Sequence, residues 1–155
     1  KSRQLNETYH GGVSSFLLTM LVTSYLQRVY TKEKQNTANL DLGKHLIDFL
    51  ELYGTLFNYE DIGISIRKGG KYFAKARRGW EGFDDRSRFR LSVENPQEKD
   101  VDIRRSAYKI KKVQRAFQHA YDTLLFNNSN SVSLLKLIIT CDPKDLRPSL
   151  SGEKR

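Results

Sequence analysis

The sequence predicts a mostly helical α+β domain with a small β-hairpin or sheet element, and three observations lead to that class. Long segments near the start, after residue 41 and after residue 102 repeat apolar residues at the spacing that puts them on one face of a helix. Between the second and the third, "GISIRKGGKYFAK" switches to a period of two around a pair of glycines. A chain of 155 residues is long enough for one domain with a real core.

Each element follows from its residues. Ser14 or Ser15 can cap a first helix running to about residue 30, because a serine oxygen accepts from a first-turn N–H that lacks a partner inside the helix. Its apolar positions, Leu17, Leu18, Leu21, Val22, Tyr25, Leu26 and Val29, cover a wide arc, so this helix is expected to be central. The polar stretch "TKEKQNTAN" leads to a second helix, expected from about 41 to 59 and capped by Asn39 or Asp41. Its stripe is Leu42, Leu46, Phe49, Leu50, Tyr53, Leu56 and Phe57. In the hairpin, Ile62, Ile64 and Ile66 alternate with small or polar residues, and Gly69 and Gly70 supply the positive φ of a tight turn before Tyr72 and Phe73.

The following "ARRGWEGFDDRS" has the composition of a surface loop. "FRLSVENP" alternates Phe89, Leu91 and Val93 as a short strand that Pro96 ends. The strongest helix is expected from about 102 to 126, on Ile103, Ala107, Ile110, Val113, Phe117, Ala120, Tyr121 and Leu124. Arg104, Arg105, Lys109, Lys111, Lys112 and Arg115 load its first half with positive charge. "NNSNS" precedes a last helix at about 131 to 140, and Pro143 and Pro148 mark an irregular tail.

Lys and Arg number 27 against 18 Asp and Glu, a net charge of +9 with a pI of about 9.7, which suits a polyanionic partner. The single cysteine, Cys141, cannot close an internal disulfide, and with His10, His45 and His119 scattered it offers no zinc cluster. A reducing compartment is expected. The apolar run from Phe16 is broken by Thr19, Thr23 and Ser24 and stops at Gln27, short of the roughly 18 to 20 residues of a membrane span, so no membrane partner is expected. No cleavable signal pattern opens the chain, and its abrupt Lys-Ser-Arg-Gln start points to a piece of something larger.

No Ser-His-Asp or Cys-His set and no phosphate-binding glycine loop with a Lys-Ser/Thr ending is present. Asp84 and Asp85 lack flanking apolar strand residues, and Asp100 and Asp102 precede a basic helix. Neither pair resembles the seat of a two-metal phosphoryl-transfer centre, so neither catalytic nor metal-ligating residues are expected here. What remains is binding. Gly11 and Gly12 let the backbone approach a ligand, and the N–H groups at the following helix start, with the Ser14 and Ser15 hydroxyls, suit a triphosphate. A glycine turn with a serine cap accounts for the same residues. Arg67, Lys68, Lys71, Lys75, Arg77 and Arg78 cluster around the hairpin with Tyr72, Phe73 and Trp80 interleaved. That pattern suits RNA through phosphate neutralisation and stacking, or it is a solvated face.

Three blocks in order carry a likeness: "LNETYHGGVSSFLLTMLVTSYLQ", "NLDLGKHLIDFLELYGTLFNYEDIGISIRKGGKYFAK" and "ENPQEKDVDIRRSAYKIKKVQRAFQHAYDTL". They resemble the central, PAP-associated domain of the Trf/Cid-type nuclear poly(A) polymerases, which are nucleotidyltransferases of the DNA polymerase β superfamily. The likeness runs from about residue 5 to 126. It implies a helical central domain over 1–150 followed by a short tail, 151–155, the catalytic domain lying outside this chain.

In that family a Gly-Gly-Ile-Ser-Ser-Tyr stretch lines the interdomain cleft, so Ser15 would contact the nucleotide triphosphate and Phe16, in place of tyrosine, would stack on the base. The family's nucleotide recognition motif falls on the residues from Asn95 through Glu98 and Asp102 to Arg105. Pro96 and Arg105 match it, Asn95 replaces an aspartate, Val101 an asparagine, and Arg104 a small residue. From the residues alone, Asn95 reads equally as a turn residue before Pro96, and Asp102 as the cap of the long helix.

The resemblance further implies addition of AMP from ATP to RNA 3′ ends in RNA surveillance. Mg²⁺ would be held by acidic residues of the separate catalytic domain, with a helicase and a zinc-knuckle RNA-binding protein as partners in the nucleus. A fragment of this kind is expected to bind nucleotide and RNA without catalysing transfer. The altered Asn95 and Val101 also admit an adaptor that docks RNA or protein without binding nucleotide.

Overall fold

The computed structural model describes residues 13–32, 41–82, 88–103, 109–126 and 138. Among them three helices stand beside a three-stranded sheet. Helix α1 is Ser15–Lys32, α2 is Leu42–Glu51, and α3 is Ile110–Phe126. The strands are β1 Ile62–Ser65, β2 Lys71–Ala74 and β3 Ser92–Val93, in the order β2-β1-β3. The α+β class predicted from periodicity is the one observed.

Both predicted caps form. The Ser14 hydroxyl accepts from Leu17 N–H at 3.1 Å to start α1, and the Asp41 carboxylate accepts from Lys44 N–H at 3.1 Å to start α2. The second helix departs from expectation at its end. Instead of continuing to 59 it passes into a π-turn, Leu52–Leu56, closed by Phe57 N–H donating to Leu52 O at 2.7 Å. The wider turn lays Gly54 against α3, where a Cβ would meet the Gln118 nitrogen at 2.6 Å and the Phe117 carbonyl carbon at 3.0 Å. Only a residue without a side chain allows that approach.

The core is an aromatic column. Phe49 meets Tyr25, Tyr53 and Phe117 edge to face, and Tyr53, Phe57, Tyr59 and Tyr72 continue the series toward the sheet. The buried Tyr53 hydroxyl donates to Leu21 O in α1 at 3.1 Å, and the Tyr59 hydroxyl donates to Tyr53 O at 2.7 Å. Burial pushes both phenols well above their ordinary pKa, which keeps them as donors.

Helix α1 is less central than its wide apolar arc predicts. Leu17, Met20, Leu21 and Tyr25 are buried, whereas Leu18, Val22 and Leu26 remain exposed, because the described residues cover one side of the helix only.

Strand β1 is the middle of the sheet, antiparallel to β2 and parallel to β3. The connection between β1 and β2 is longer than a tight two-residue turn: Arg67–Gly69 form a 3₁₀ turn, with Lys68, Gly69 and Gly70 all at positive φ. Gly63 opposes Phe73, whose ring fills the space a Cβ would need.

The predicted third strand is short, and residues on both sides of its pleat are buried. Leu91 and Val93 face the aromatic core, and Ser92 and Glu94 are equally inaccessible. Beyond it, Glu94 and Asp102 form an antiparallel bridge and Ile103 N–H donates to Val93 O at 2.9 Å. Asp102 therefore does not cap the long helix, which begins at Ile110. Part of the stretch read as a surface loop is packed, since Trp80 is half-buried edge to face with Phe73. The expected last helix at 131 to 140 lies outside the described residues except for Ile138.

Gly54→Ala is expected to destabilise the chain by about 2 kcal/mol or more, the cost of forcing a methyl group between closely packed helices. Urea unfolding measures it, and an unchanged midpoint would show that α3 can move away.

Candidate functional site

Two groups of predicted site residues can be placed. The first is the start of α1. Ser14 is the cap, its Oγ taken by Leu17 N–H and its carbonyl by Leu18 N–H at 2.8 Å, so its hydroxyl serves the helix. Ser15 and Phe16 follow on the first turn, both exposed, Phe16 to 51%. An aromatic ring left half in solvent at a helix start is not a core residue. Gly11 and Gly12 lie outside the described residues.

The second group is the 95–101 loop, which leaves β3 and returns through the Glu94 and Asp102 bridge. Asn95 N–H donates to Val101 O at 2.7 Å across its neck, and the Asn95 Oδ1 accepts from Gln97 N–H at 3.0 Å, the side-chain turn expected before Pro96. That bond uses the amide oxygen and leaves Nδ2 as the donor end of the Asn95 side chain. Arg67 Nη1 donates to Pro96 O at 2.8 Å, tying the loop to the hairpin turn. Glu98 stands exposed at the tip. Asp102 accepts from Val93 N–H at 3.2 Å and holds the loop's return strand. Arg104 and Arg105 lie outside the described residues.

The residue that organises this loop is one that strand alternation conceals. Glu94 is 1% exposed, and its Oε1 lies 2.9 Å from Arg78 Nη1 and accepts from Asp100 N–H at 3.1 Å. Burial alone would raise its pKa, but the Ser65 hydroxyl, the Asp100 N–H and the Arg78 guanidinium together outweigh it and hold the carboxyl down at about 2. In sequence Glu94 sits on the face opposite Leu91 and Val93, where a solvated acid is the ordinary expectation, so no local signal marks it.

The basic cluster divides in two. Lys75 is 1% exposed, and its ammonium donates to Tyr59 O and Arg90 O at 2.7 Å each; it is an internal cross-link and is removed from the predicted RNA surface. Arg78 is likewise engaged, its guanidinium 3.8 Å from the Phe73 ring centre, 5.1 Å from that of Trp80, and paired with Glu94. Arg67 is committed to Pro96. Lys68, Lys71 and Arg77 stay exposed as the outward cations of the hairpin.

Among the described residues no group of His, Cys, Asp or Glu could hold a metal ion, so these side chains do not fit Mg²⁺. Among them, too, no helix is long and apolar enough to cross a membrane.

Residues 41–101, spanning α2, the hairpin and the loop, match the Cid1 family poly A polymerase model. Poly(A) RNA polymerase CID14 of Cryptococcus neoformans is 43% identical over 136 residues, 84% of this chain and 17% of that protein. Poly(A) RNA polymerase protein 1 of Saccharomyces cerevisiae is 35% identical over 80% of this chain and 20% of its own length. An inactive non-canonical poly(A) RNA polymerase, Trf4-2 of Drosophila melanogaster, is 32% identical over 95% of this chain and 34% of its length.

Among solved structures, the polymerase core of TRAMP, an RNA surveillance complex, superposes with a TM-score of 0.76 at 27% identity, covering 90% of this chain and 47% of that one. Residues 41–101 thus carry a Cid1 family poly A polymerase segment, and most of the chain is similar to poly(A) RNA polymerases, as the three sequence blocks indicated. The chain spans about a fifth or less of the first two relatives.

Because the folded-state pKa of Glu94 lies below its unfolded value of 4.5, its contribution to stability is present above pH 4.5 and is lost as pH falls through about 2. The difference in unfolding free energy between the wild type and Glu94→Gln is therefore expected to shrink across that window. Denaturant titrations at several pH values would show it, and a constant difference would rule out an ionised Glu94.

Proposed function

We propose that this chain is the nucleotide- and RNA-binding lobe of a nuclear, non-templated polymerase that adds AMP from ATP to RNA 3′ ends. The observation that carries the proposal is the exposure of Phe16 beside Ser15 at the start of α1. There the ring offers a face for a base, while first-turn N–H groups and the Ser15 hydroxyl suit phosphate oxygens. The Asn95 Nδ2 can donate to an acceptor on a base edge, a bond a carboxylate could not make. Lys68, Lys71 and Arg77 neutralise RNA phosphates without reading sequence. The names of the relatives support poly(A) synthesis, and the TRAMP likeness supports a role in RNA surveillance; a helicase and a zinc-knuckle RNA-binding protein are the partners this proposal takes from the sequence resemblance. In this proposal Mg²⁺ and the acidic residues that hold it belong to a companion domain.

A second function, an adaptor that docks RNA or protein without nucleotide, is favoured by one feature. The Asn95 Oδ1 and the Val101 carbonyl are both spent within the loop.

Titrating ATP into the 155-residue chain separates the two. The polymerase lobe is expected to show amide shifts at Ser15, Phe16 and the 95–101 loop, and an adaptor none. Phe16→Ala should weaken ATP binding by about tenfold, the scale of one base–aromatic stack, while changing stability by no more than about 0.5 kcal/mol because the ring is exposed. For RNA, replacing Lys68, Lys71 and Arg77 together with alanine should flatten the slope of log affinity against log salt by about 2, since each phosphate that a cation neutralises on a single strand adds roughly 0.7 to it. An unaltered slope would place the RNA elsewhere.

A further inference from the structure

We propose that Arg78 and Glu94 are a clamp that sets the shape of the 95–101 loop, making both positioning residues for the ligand this loop receives. The inference rests on the nucleotide-binding reading above. It begins from the Glu94 Oε1, which joins two parts of the chain distant in sequence: Arg78, at the end of the 3₁₀ turn that follows β2, and Asp100, at the return of the loop.

Arg78 is held ready for this. Its guanidinium lies over Phe73 and beside Trp80, which are themselves edge to face, and Gly79 takes a left-handed conformation, φ 62°, immediately after it. Asp100 is also left-handed, φ 62°, a conformation less favourable for a residue with a Cβ than for glycine, though one that Asp adopts more readily than most. Here it is held by a charge-assisted bond from Asp100 N–H to the buried carboxylate, reinforced by Asp100 Oδ1 at 3.5 Å from Arg78 Nη1.

Without the guanidinium, Glu94 would be a buried charge lacking its counter-ion and would turn toward water, releasing Asp100. Relaxation at Asp100 would open the neck between Asn95 and Val101, and the Asn95 amide would lose its orientation. Neither clamp residue has to touch the ligand for this to alter binding. The clamp also explains why an arginine rather than a lysine stands at 78, since lying flat on the Phe73 ring while pairing with a carboxylate suits a planar cation.

The test measures the loop and the ligand separately in the 155-residue chain. In Arg78→Met, hydrogen exchange at the Asp100 and Asn95 amides is expected to rise about tenfold or more, with the amides of α2 and α3 unchanged. The dissociation constant for ATP should rise about tenfold, and Arg78→Lys should recover part of both effects by restoring charge without the planar stack. Wild-type protection at Asp100 and Asn95 in Arg78→Met would overturn the clamp. Reduced protection with unchanged ATP affinity, while Phe16→Ala still weakens ATP, would overturn the positioning role and leave the nucleotide reading intact. If the wild type itself shows no ATP binding, the nucleotide reading fails and the exchange data alone decide whether the clamp exists. Should Arg78→Met not fold, Arg78→Lys is read in the same way, with smaller expected changes.

Discussion

The Tyr53 hydroxyl donates into α1 at Leu21 O, while the Tyr53 carbonyl receives the Tyr59 hydroxyl from the entrance to β1. One fully buried residue thereby fixes the helical layer and the sheet at a single point, with its ring packed between Phe49 and Phe57. Both bonds lie in an interior where an unmade hydrogen bond would cost about 1 to 3 kcal/mol, so the register between layers is strongly specified. The π-turn belongs to the same constraint. It carries Tyr53 toward α1 and the neighbouring Gly54 against α3, which a regular helix could not do with the same residues.

From that point the geometry propagates outward to the site. Tyr59 lends its carbonyl to the buried Lys75 ammonium, which also binds Arg90 O and so pulls the segment before β3 against the end of β2. Gln27 reaches from α1 to Ile66 O and covers Gly70, where a Cβ would collide with its side chain. Arg67 then ties the hairpin turn to Pro96. The candidate ligand platform is thus tied to the rest of the fold by polar bonds from two sides, through Lys75 below β3 and through Arg67 at the hairpin turn.

The basic residues of the hairpin show how little net charge says about a surface. A buried lysine is tolerated because two carbonyl oxygens replace its water, and a largely buried arginine because an acid and two aromatic rings do. Three cations of the cluster are left to face a polyanion: Lys68, Lys71 and Arg77. The division leaves the outward positive charge on the β1–β2 connection and on the turn that follows β2.

Local chemistry was legible in the sequence wherever one short stretch decides the outcome. The caps at Ser14 and Asp41, the apolar stripe of α3, the strand alternation and the glycines at positive φ each follow from steric or hydrogen-bonding rules that span a few residues. The three sequence blocks likewise sufficed for the likeness to poly(A) RNA polymerases. The π-turn, the absence of an Asp102 cap, the exposure of Leu18, Val22 and Leu26, and the inward fate of Lys75, Arg78 and Glu94 were not legible. Each depends on which partner the fold brings alongside: α3 against Gly54, the Glu94 bridge against Asp102, a carbonyl pair against an ammonium. Residue identity determines what a side chain can pair with, and only the tertiary arrangement decides which pairing is within about 3 Å.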